Sequence, residues 1–222
     1  MNTSNVAVSG YCERVSSDFW AEPLNAWSNG AFIVAAVAAC MLQRRNGPRD
    51  RVVIGLTALV FAIGLGSFLF HTMPQRWTLL ADVIPIQLFA FLYFGVTLRR
   101  FFGFGMIASV MGTLAFLAAT FGVLAVAGPL LPPALRGSAG YGGFLLALFG
   151  VAFALSRREG DSATARILAL AGGVFSLSLT LRSLDGPACD VVPTGLHVYW
   201  HLLNAVVLYL LLRAAILRRD AA

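Results

Sequence analysis

Seven stretches of about 20 residues, nearly free of charge, constrain this chain more than any other feature of its sequence. A run of that length is what an α-helix needs to cross the hydrocarbon core of a bilayer. The predicted spans are residues 24–43, 52–71, 77–98, 104–126, 138–156, 164–184 and 195–217. We therefore predict an all-α integral membrane protein in which residues 1–222 form a single domain, a seven-transmembrane-helix bundle.

The composition supports a membrane protein and excludes one seven-helix class. Of the 222 residues, 59% are hydrophobic and 12% are charged, whereas an average soluble domain has about 25% charged residues. All sixteen basic residues are arginines. Without a lysine amine for a Schiff base, the chain cannot be a retinal pigment. The first residues also lack the basic and apolar regions of a cleavable signal peptide.

The placement of the arginines predicts the orientation of the bundle. Twelve of them follow spans one, three, five and seven, and the other four lie in the intervening segments. Because cytoplasmic loops carry the excess of basic residues, we expect the N-terminus outside and the C-terminus in the cytoplasm. The net charge of +6 then reflects membrane topology, and nucleic acid is not an expected partner.

The three histidines are predicted to lie at one depth in the membrane. His71 ends the second span, and His197 and His201 begin the seventh, so all three fall on the outer side. Asp82 in the third span and Ser67, one helical turn before His71, lie at a similar depth. Polar residues inside spans are costly and by default indicate function. Three imidazoles with an open fourth position form a catalytic zinc geometry, and a His-x3-His pair chelates one metal from a single helix face.

Each of these residues also has a purely structural explanation. A lone histidine in a membrane helix often caps the helix or bonds a backbone carbonyl. Asp82 could simply pair with Arg76, and a serine such as Ser67 commonly bonds its own helix backbone. The conjunction of all five side chains at one depth favours a metal site over these separate explanations.

An acidic group precedes the first span. Glu13, Asp18 and Glu22 lie within "YCERVSSDFWAEPLN", on the predicted outer side. Carboxylates at this density suggest a hard cation such as calcium. The alternative is a solvated acidic segment without a bound ion.

Taken together, these motifs resemble the alkaline ceramidase family of the CREST superfamily of seven-helix membrane hydrolases, over the whole chain. The resemblance rests on "YCER…FWAEPLNAWSN", on "SFLFHTMPQRWTLLADVIPI" as a Ser-x3-His…Asp motif, and on "HVYWHLL" as the closing His-x3-His. It implies zinc on His71, His197 and His201. It further implies Asp82 as the acid/base group and Ser67 as an active-site ligand or oxyanion donor.

The resemblance also implies a calcium site near the zinc. Glu13 and Glu22 match two of its acidic ligands. Gly10 stands where the family has an Asp, the following Asn ligand is absent, and Asp18 is the candidate substitute.

The resemblance pairs Cys12 with Cys189. The predicted topology puts both cysteines outside, where disulfides persist. Cys40 lies near the inner end of the first span and is expected to stay reduced.

From the residues and the resemblance we expect a zinc-dependent intramembrane hydrolase that cleaves the amide bond of ceramide-like membrane lipids into a fatty acid and a sphingoid base. One alternative is a zinc-dependent lipid ester hydrolase on the same scaffold. Another is a non-catalytic metal-binding membrane receptor. A transporter is disfavoured because the inner leaflet holds almost no polar residues. The Arg- and Ala-rich composition looks bacterial, so we expect an inner-membrane protein with its active site toward the periplasm.

Overall fold

Residues 10–218 are described in a computed structural model of the chain, and all regular structure in that range is helical. The α-helices are α1 (Pro23–Ser28), α2 (Gly30–Arg45), α3 (Arg51–Thr72), α4 (Arg76–Val96), α5 (Met106–Ala127), α6 (Pro133–Ala139), α7 (Gly142–Ser156), α8 (Ser162–Leu184) and α9 (His197–Leu217). A π-helical turn, Thr97–Phe101, extends α4, and short 3-10 turns, Gly128–Leu130 and Gly186–Ala188, follow α5 and α8.

Six helical units within the described residues are long and apolar enough to cross a membrane. They are Pro23–Arg45, Arg51–Thr72, Arg76–Phe101, Met106–Leu130, Ser162–Leu184 and His197–Leu217. The pair α6 and α7 forms a seventh candidate that is bent by 56° at its break. The predicted all-α membrane fold is confirmed, with six to seven candidate spans.

The break between α6 and α7 falls inside the stretch 138–156, which the sequence analysis treated as one helix. Four glycines, at positions 137, 140, 142 and 143, surround it. Glycine is among the weakest helix formers, so the local sequence offers little to keep a single helix continuous here.

Helix α9 occupies the centre of the bundle. It packs against α2, α3 and α8, and its buried side chains run from His197 at its first residue to Ile216 near its end. Helix α5, by contrast, buries only Ser109, as expected of a helix that faces lipid. The first turns of α9, which carry two of the three histidines, therefore lie inside the protein.

Gly66 allows α3 and α4 to approach each other closely. A Cβ atom at this position would lie 2.0 Å from the carbonyl oxygen of Ala81 and 3.1 Å from the backbone nitrogen of Asp82. Small residues at helix crossings permit such contact in membrane proteins. The crossing sets Ser67 on α3 beside Asp82 on α4.

Asp50 joins the ends of α3 and α4 that lie away from the histidines. Its carboxylate caps α3 by accepting hydrogen bonds from the backbone N–H groups of Val52 and Val53, at 2.9 and 3.3 Å. Arg100 donates to both of its oxygens, at 2.5 and 2.9 Å. The Arg100 hydrogen bond holds the pKa of Asp50 below its ordinary value, because a bidentate guanidinium favours the charged carboxylate.

Candidate metal centre

Three buried histidines converge at one end of the bundle. His71 belongs to the last turn of α3, while His197 and His201 lie one turn apart at the start of α9. Each is 1% exposed, and one ligand atom from each lies within 4.8 Å of the others. Within residues 10–218, this is the only group of three or more His, Cys, Asp or Glu side chains placed to share an ion.

Two ring nitrogens in this group are buried without a hydrogen-bond partner in the described part of the chain. They are Nε2 of His71 and Nδ1 of His197. A buried polar atom without a partner is costly, and a metal ion would satisfy both atoms at once. The donor set of three imidazoles therefore fits a metal.

His71 and His201 are each oriented through the ring nitrogen Nδ1. His71 Nδ1 lies 2.5 Å from Oε2 of Glu22, a carboxylate that is fully buried. His201 Nδ1 lies 2.7 Å from Oγ of Ser28. Such contacts on the far nitrogen fix the tautomer and ring orientation of metal-binding histidines. They leave Nε2 of each ring available as a ligand.

His197 is held by a different set of contacts. Its ring stacks on that of Tyr11, with 3.7 Å between the centroids. Asp185 caps the start of α9 by accepting hydrogen bonds from the backbone N–H groups of Leu196, at 2.6 Å, and His197, at 2.9 Å. Burial raises the pKa of Tyr11, so the ring that faces His197 stays neutral.

A disulfide between Cys12 and Cys189 fastens the N-terminal segment to the loop before α9. These are the two cysteines that the resemblance pairs, and Cys40 is free. The backbone N–H of Cys12 also donates to Oδ2 of Asp185, at 3.2 Å. Asp185 therefore binds both the cysteine segment and the first turn of α9.

Ser67 and Asp82 meet where α3 crosses α4. The Ser67 side chain lies close enough to interact with the carboxylate of Asp82, which also lies within electrostatic range of His71 and Arg182. Neither side chain belongs to the group of three histidines. The structure thus places all five predicted polar residues at one end of the bundle, with Asp82 beside the histidines rather than among them.

The three carboxylates assigned to calcium have separate partners. Glu13 accepts hydrogen bonds from the backbone N–H groups of Leu24, at 2.6 Å, and Asn25, at 2.9 Å. Glu22 contacts His71 and Arg14. Asp18 is exposed and accepts from the Ser16 hydroxyl at 2.9 Å. Among the described residues these three do not form a shared ion-binding group.

The sequence did not predict four of the residues that position the centre: Tyr11, Ser28, Asp185 and Arg182. Arg182 lies over the ring of Trp200, 4.8 Å from its centroid, and donates to the Tyr11 hydroxyl at 3.2 Å. Its position near the end of the predicted sixth span was the available signal, because a buried arginine in a span is rare. Ser28 and Asp185 give no comparable signal, since serine and aspartate are common at helix ends.

An apolar cavity of about 100 Å³ lies within the bundle, and Phe32 in its wall packs against the ring of His201, with 6.2 Å between the ring centroids. On α9 its lining includes Asn204, Leu208 and Leu211, which lie one to three turns beyond His201. The remaining walls are aromatic and aliphatic, and include Phe32, Phe89, Tyr93, Phe144, Leu168 and Phe175. None of the three histidines lines this cavity, and its apolar walls suit a hydrocarbon chain.

The family model described as Ceramidase matches residues 3–220, which is nearly the whole chain. A search of curated proteins finds no match.

Proposed function

The chain belongs to the ceramidase family, hydrolases that act on the amide bond of ceramide, and from that premise we propose that it is a zinc-dependent intramembrane amidase. Its substrate is a ceramide-like lipid of the surrounding bilayer. The products are a fatty acid and a sphingoid base.

The observation that carries this proposal is the set of three buried imidazoles with two unpartnered ring nitrogens. Neutral imidazole is a common ligand of zinc, and three protein ligands with an open position are typical of catalytic zinc sites. When bound, zinc would polarise a substrate carbonyl and lower the pKa of water to about 7. His71, His197 and His201 would hold it.

Asp82 is the proposed acid/base group. An amide hydrolysis needs a base that takes a proton from the attacking water and an acid that protonates the leaving amine nitrogen. The Asp82 carboxylate can do both in turn, with the Ser67 side chain beside it. Ser67 is proposed to orient Asp82 and the substrate carbonyl.

The apolar cavity supports a lipid substrate. A chain of methylene groups in that pocket stays out of water, while the polar linkage at its end reaches the histidines. The cavity walls have few polar groups, so a charged or sugar-like substrate would be poorly solvated there.

The proposed orientation puts the metal centre on the outer side of the membrane. The distribution of arginines supports it, and so does the Cys12–Cys189 disulfide at the same end of the bundle, because disulfides persist in oxidising compartments. In a bacterial inner membrane this side is the periplasmic one.

Fatty-acid release by the purified protein tests the function. The assay would offer a panel of ceramides beside matched acyl esters, with and without a zinc chelator, and would detect products by mass spectrometry. We expect about one zinc per chain, amide cleavage that the chelator abolishes, and an inactive His71→Ala variant. Tyr199→Phe is the matched control, since Tyr199 lies between the two α9 histidines but is 48% exposed.

Two outcomes would contradict the proposal. Cleavage of the esters alone would make the protein an esterase on the same scaffold. A zinc-loaded protein that cleaves neither class would instead support a metal-binding receptor.

A further inference from the structure

Arg14 joins the N-terminal segment to the end of α3 beside the metal centre. Its side chain is 5% exposed. Nε donates to the carboxylate of Glu22, and Nη2 donates to the backbone carbonyl of His71 at 2.8 Å. Nη1 faces the backbone carbonyls of Ser16, at 3.3 Å, and Asp18, at 3.5 Å.

The oxygen atoms around this guanidinium are those that a hard cation takes. One carboxylate and three carbonyls are typical ligands of calcium in proteins. Here a fixed organic cation already lies among them. The calcium site that the resemblance implies does not fit these residues, because Glu22 is engaged by Arg14 and His71, and both Glu13 oxygens accept backbone hydrogen bonds.

The Glu22 carboxylate needs a permanent positive partner. It is fully buried, and a buried charge without a partner is strongly destabilising. His71 cannot supply the positive charge if its Nε2 is to bind a metal, because a histidine ligand must be neutral at that atom. Arg14 supplies that charge, because a guanidinium group is a permanent cation in proteins.

We propose that Arg14 replaces calcium as the structural cation of this site. Its guanidinium neutralises Glu22, holds that carboxylate against Nδ1 of His71, and ties the N-terminal segment to the last turn of α3. Arg14 is thus a positioning residue for the metal centre, and the protein works without calcium. The inference about His71 rests on the proposed metal site, whereas the absence of a calcium site does not.

The first experiment measures whether calcium binds. Thermal unfolding of the zinc-loaded, purified protein would be recorded with saturating calcium and with a calcium-selective chelator, beside the hydrolysis rate. We expect the same Tm and the same rate in both conditions. A higher Tm or a faster rate with calcium would overturn the proposal. The Tm comparison tests calcium binding even if no lipid is hydrolysed. Failure of the proposed function can therefore be distinguished from failure of this inference.

The second experiment replaces the guanidinium. Arg14→Ala should lower zinc retention against a chelator and the hydrolysis rate by roughly 10–100-fold, as expected when a partner of a metal ligand is lost. Added guanidinium ion should restore much of the zinc retention and much of the hydrolysis rate. Arg14→Lys should restore less, because an ammonium cannot reproduce the planar fork that reaches carboxylate and carbonyl together.

Arg136→Ala is the matched control. Arg136 is exposed, and within residues 10–218 it donates only to the backbone carbonyls of Leu131 and Pro129, so its loss should leave zinc retention unchanged. If Arg14→Ala retained zinc as well as the wild type does, the proposal would be overturned. It would also be overturned if Arg14→Ala lost zinc and added guanidinium ion did not restore zinc retention. If Arg14→Ala does not fold, zinc retention in Arg14→Lys and the calcium experiment still decide the outcome.

Discussion

The hydroxyl of Ser28 fixes the protonation of His201. Ser28 Oγ donates its single hydrogen to the backbone carbonyl of Asn25, at 2.8 Å. The oxygen must then act as acceptor toward Nδ1 of His201, 2.7 Å away. His201 therefore carries its proton on Nδ1 and presents the lone pair of Nε2, which is the form that a metal ligand needs.

This relationship predicts the effect of Ser28→Ala. Without the acceptor, the His201 ring loses its preference for one tautomer and one orientation, so the dissociation constant for zinc should rise by roughly 10–100-fold. Competition with a fluorescent chelator measures it. Ser156→Ala is the control, because Ser156 is an exposed serine that, in the described part of the chain, bonds only the backbone carbonyl of Phe153. Unchanged zinc affinity in Ser28→Ala would show that the ring is held by packing alone.

Asp82→Asn should separate metal binding from chemistry. The amide keeps the shape of the carboxylate but cannot accept the proton, so the rate should fall by about 10²–10⁴-fold while zinc content stays near one per chain. Ser67→Ala should also lower the rate more than it lowers zinc affinity. Zinc analysis and kcat on the same preparations measure both effects. Full activity in Asp82→Asn would assign the proton transfer to another group.

Gly66→Ala should disturb the crossing of α3 and α4. The new methyl group would lie 2.0 Å from the Ala81 carbonyl oxygen, so α4 must move away, at a cost of about 1–3 kcal/mol. Because this movement separates Ser67 from Asp82, we expect a lower Tm and a lower rate together. Gly55→Ala is the control on the same helix, since nothing lies within 4 Å of a Cβ there. Equal behaviour of the two variants would refute the close crossing.

Reduction of the Cys12–Cys189 bond should lower the Tm and also lower zinc retention, because the segment that holds His197 in place is no longer fastened. The bond joins positions separated by 177 residues, for which the chain-entropy model gives at most roughly 5 kcal/mol. Non-reducing peptide mapping should recover the cross-linked fragment, and Cys12→Ser should match the reduced protein in Tm and zinc retention. Cys40→Ser, which removes the free thiol, should have no effect. Alkylation of Cys12 and Cys189 in the oxidised protein would rule the bond out.

Asp50 should make stability depend on pH in the acidic range. Its pKa is lowered in the folded state by the Arg100 hydrogen bond, so the unfolded chain takes up the proton first as pH falls. The stabilisation is therefore complete above the ordinary carboxyl value of about 3.9 and is lost as pH falls through the folded pKa. Melting curves of wild type and Asp50→Asn should differ at neutral pH and converge in acid. Parallel curves at every pH would contradict this.

The sequence predicted the features that depend on local pattern. Apolar runs of membrane length predicted the helices, and the shared depth of His71, His197 and His201 predicted their convergence. The partners of these rings were not predictable in the same way. Glu22 reads as one acidic residue among several, and only the folded chain places it against His71, 49 positions away. Ser28 and His201 are 173 positions apart. Such pairs depend on how whole helices pack, which leaves no periodic signal.

Because α9 lies at the centre of the bundle, completion of the metal centre depends on the order in which the chain is synthesised. Glu22, Ser28 and His71 leave the ribosome early, whereas His197 and His201 lie on the last helix of the described chain. The first ligand and its supporting residues therefore remain in the membrane without their partner ligands until α9 has been synthesised. A chain truncated before α9 would lack two of the three imidazoles. Binding of the metal ion would therefore indicate that α9 has been inserted.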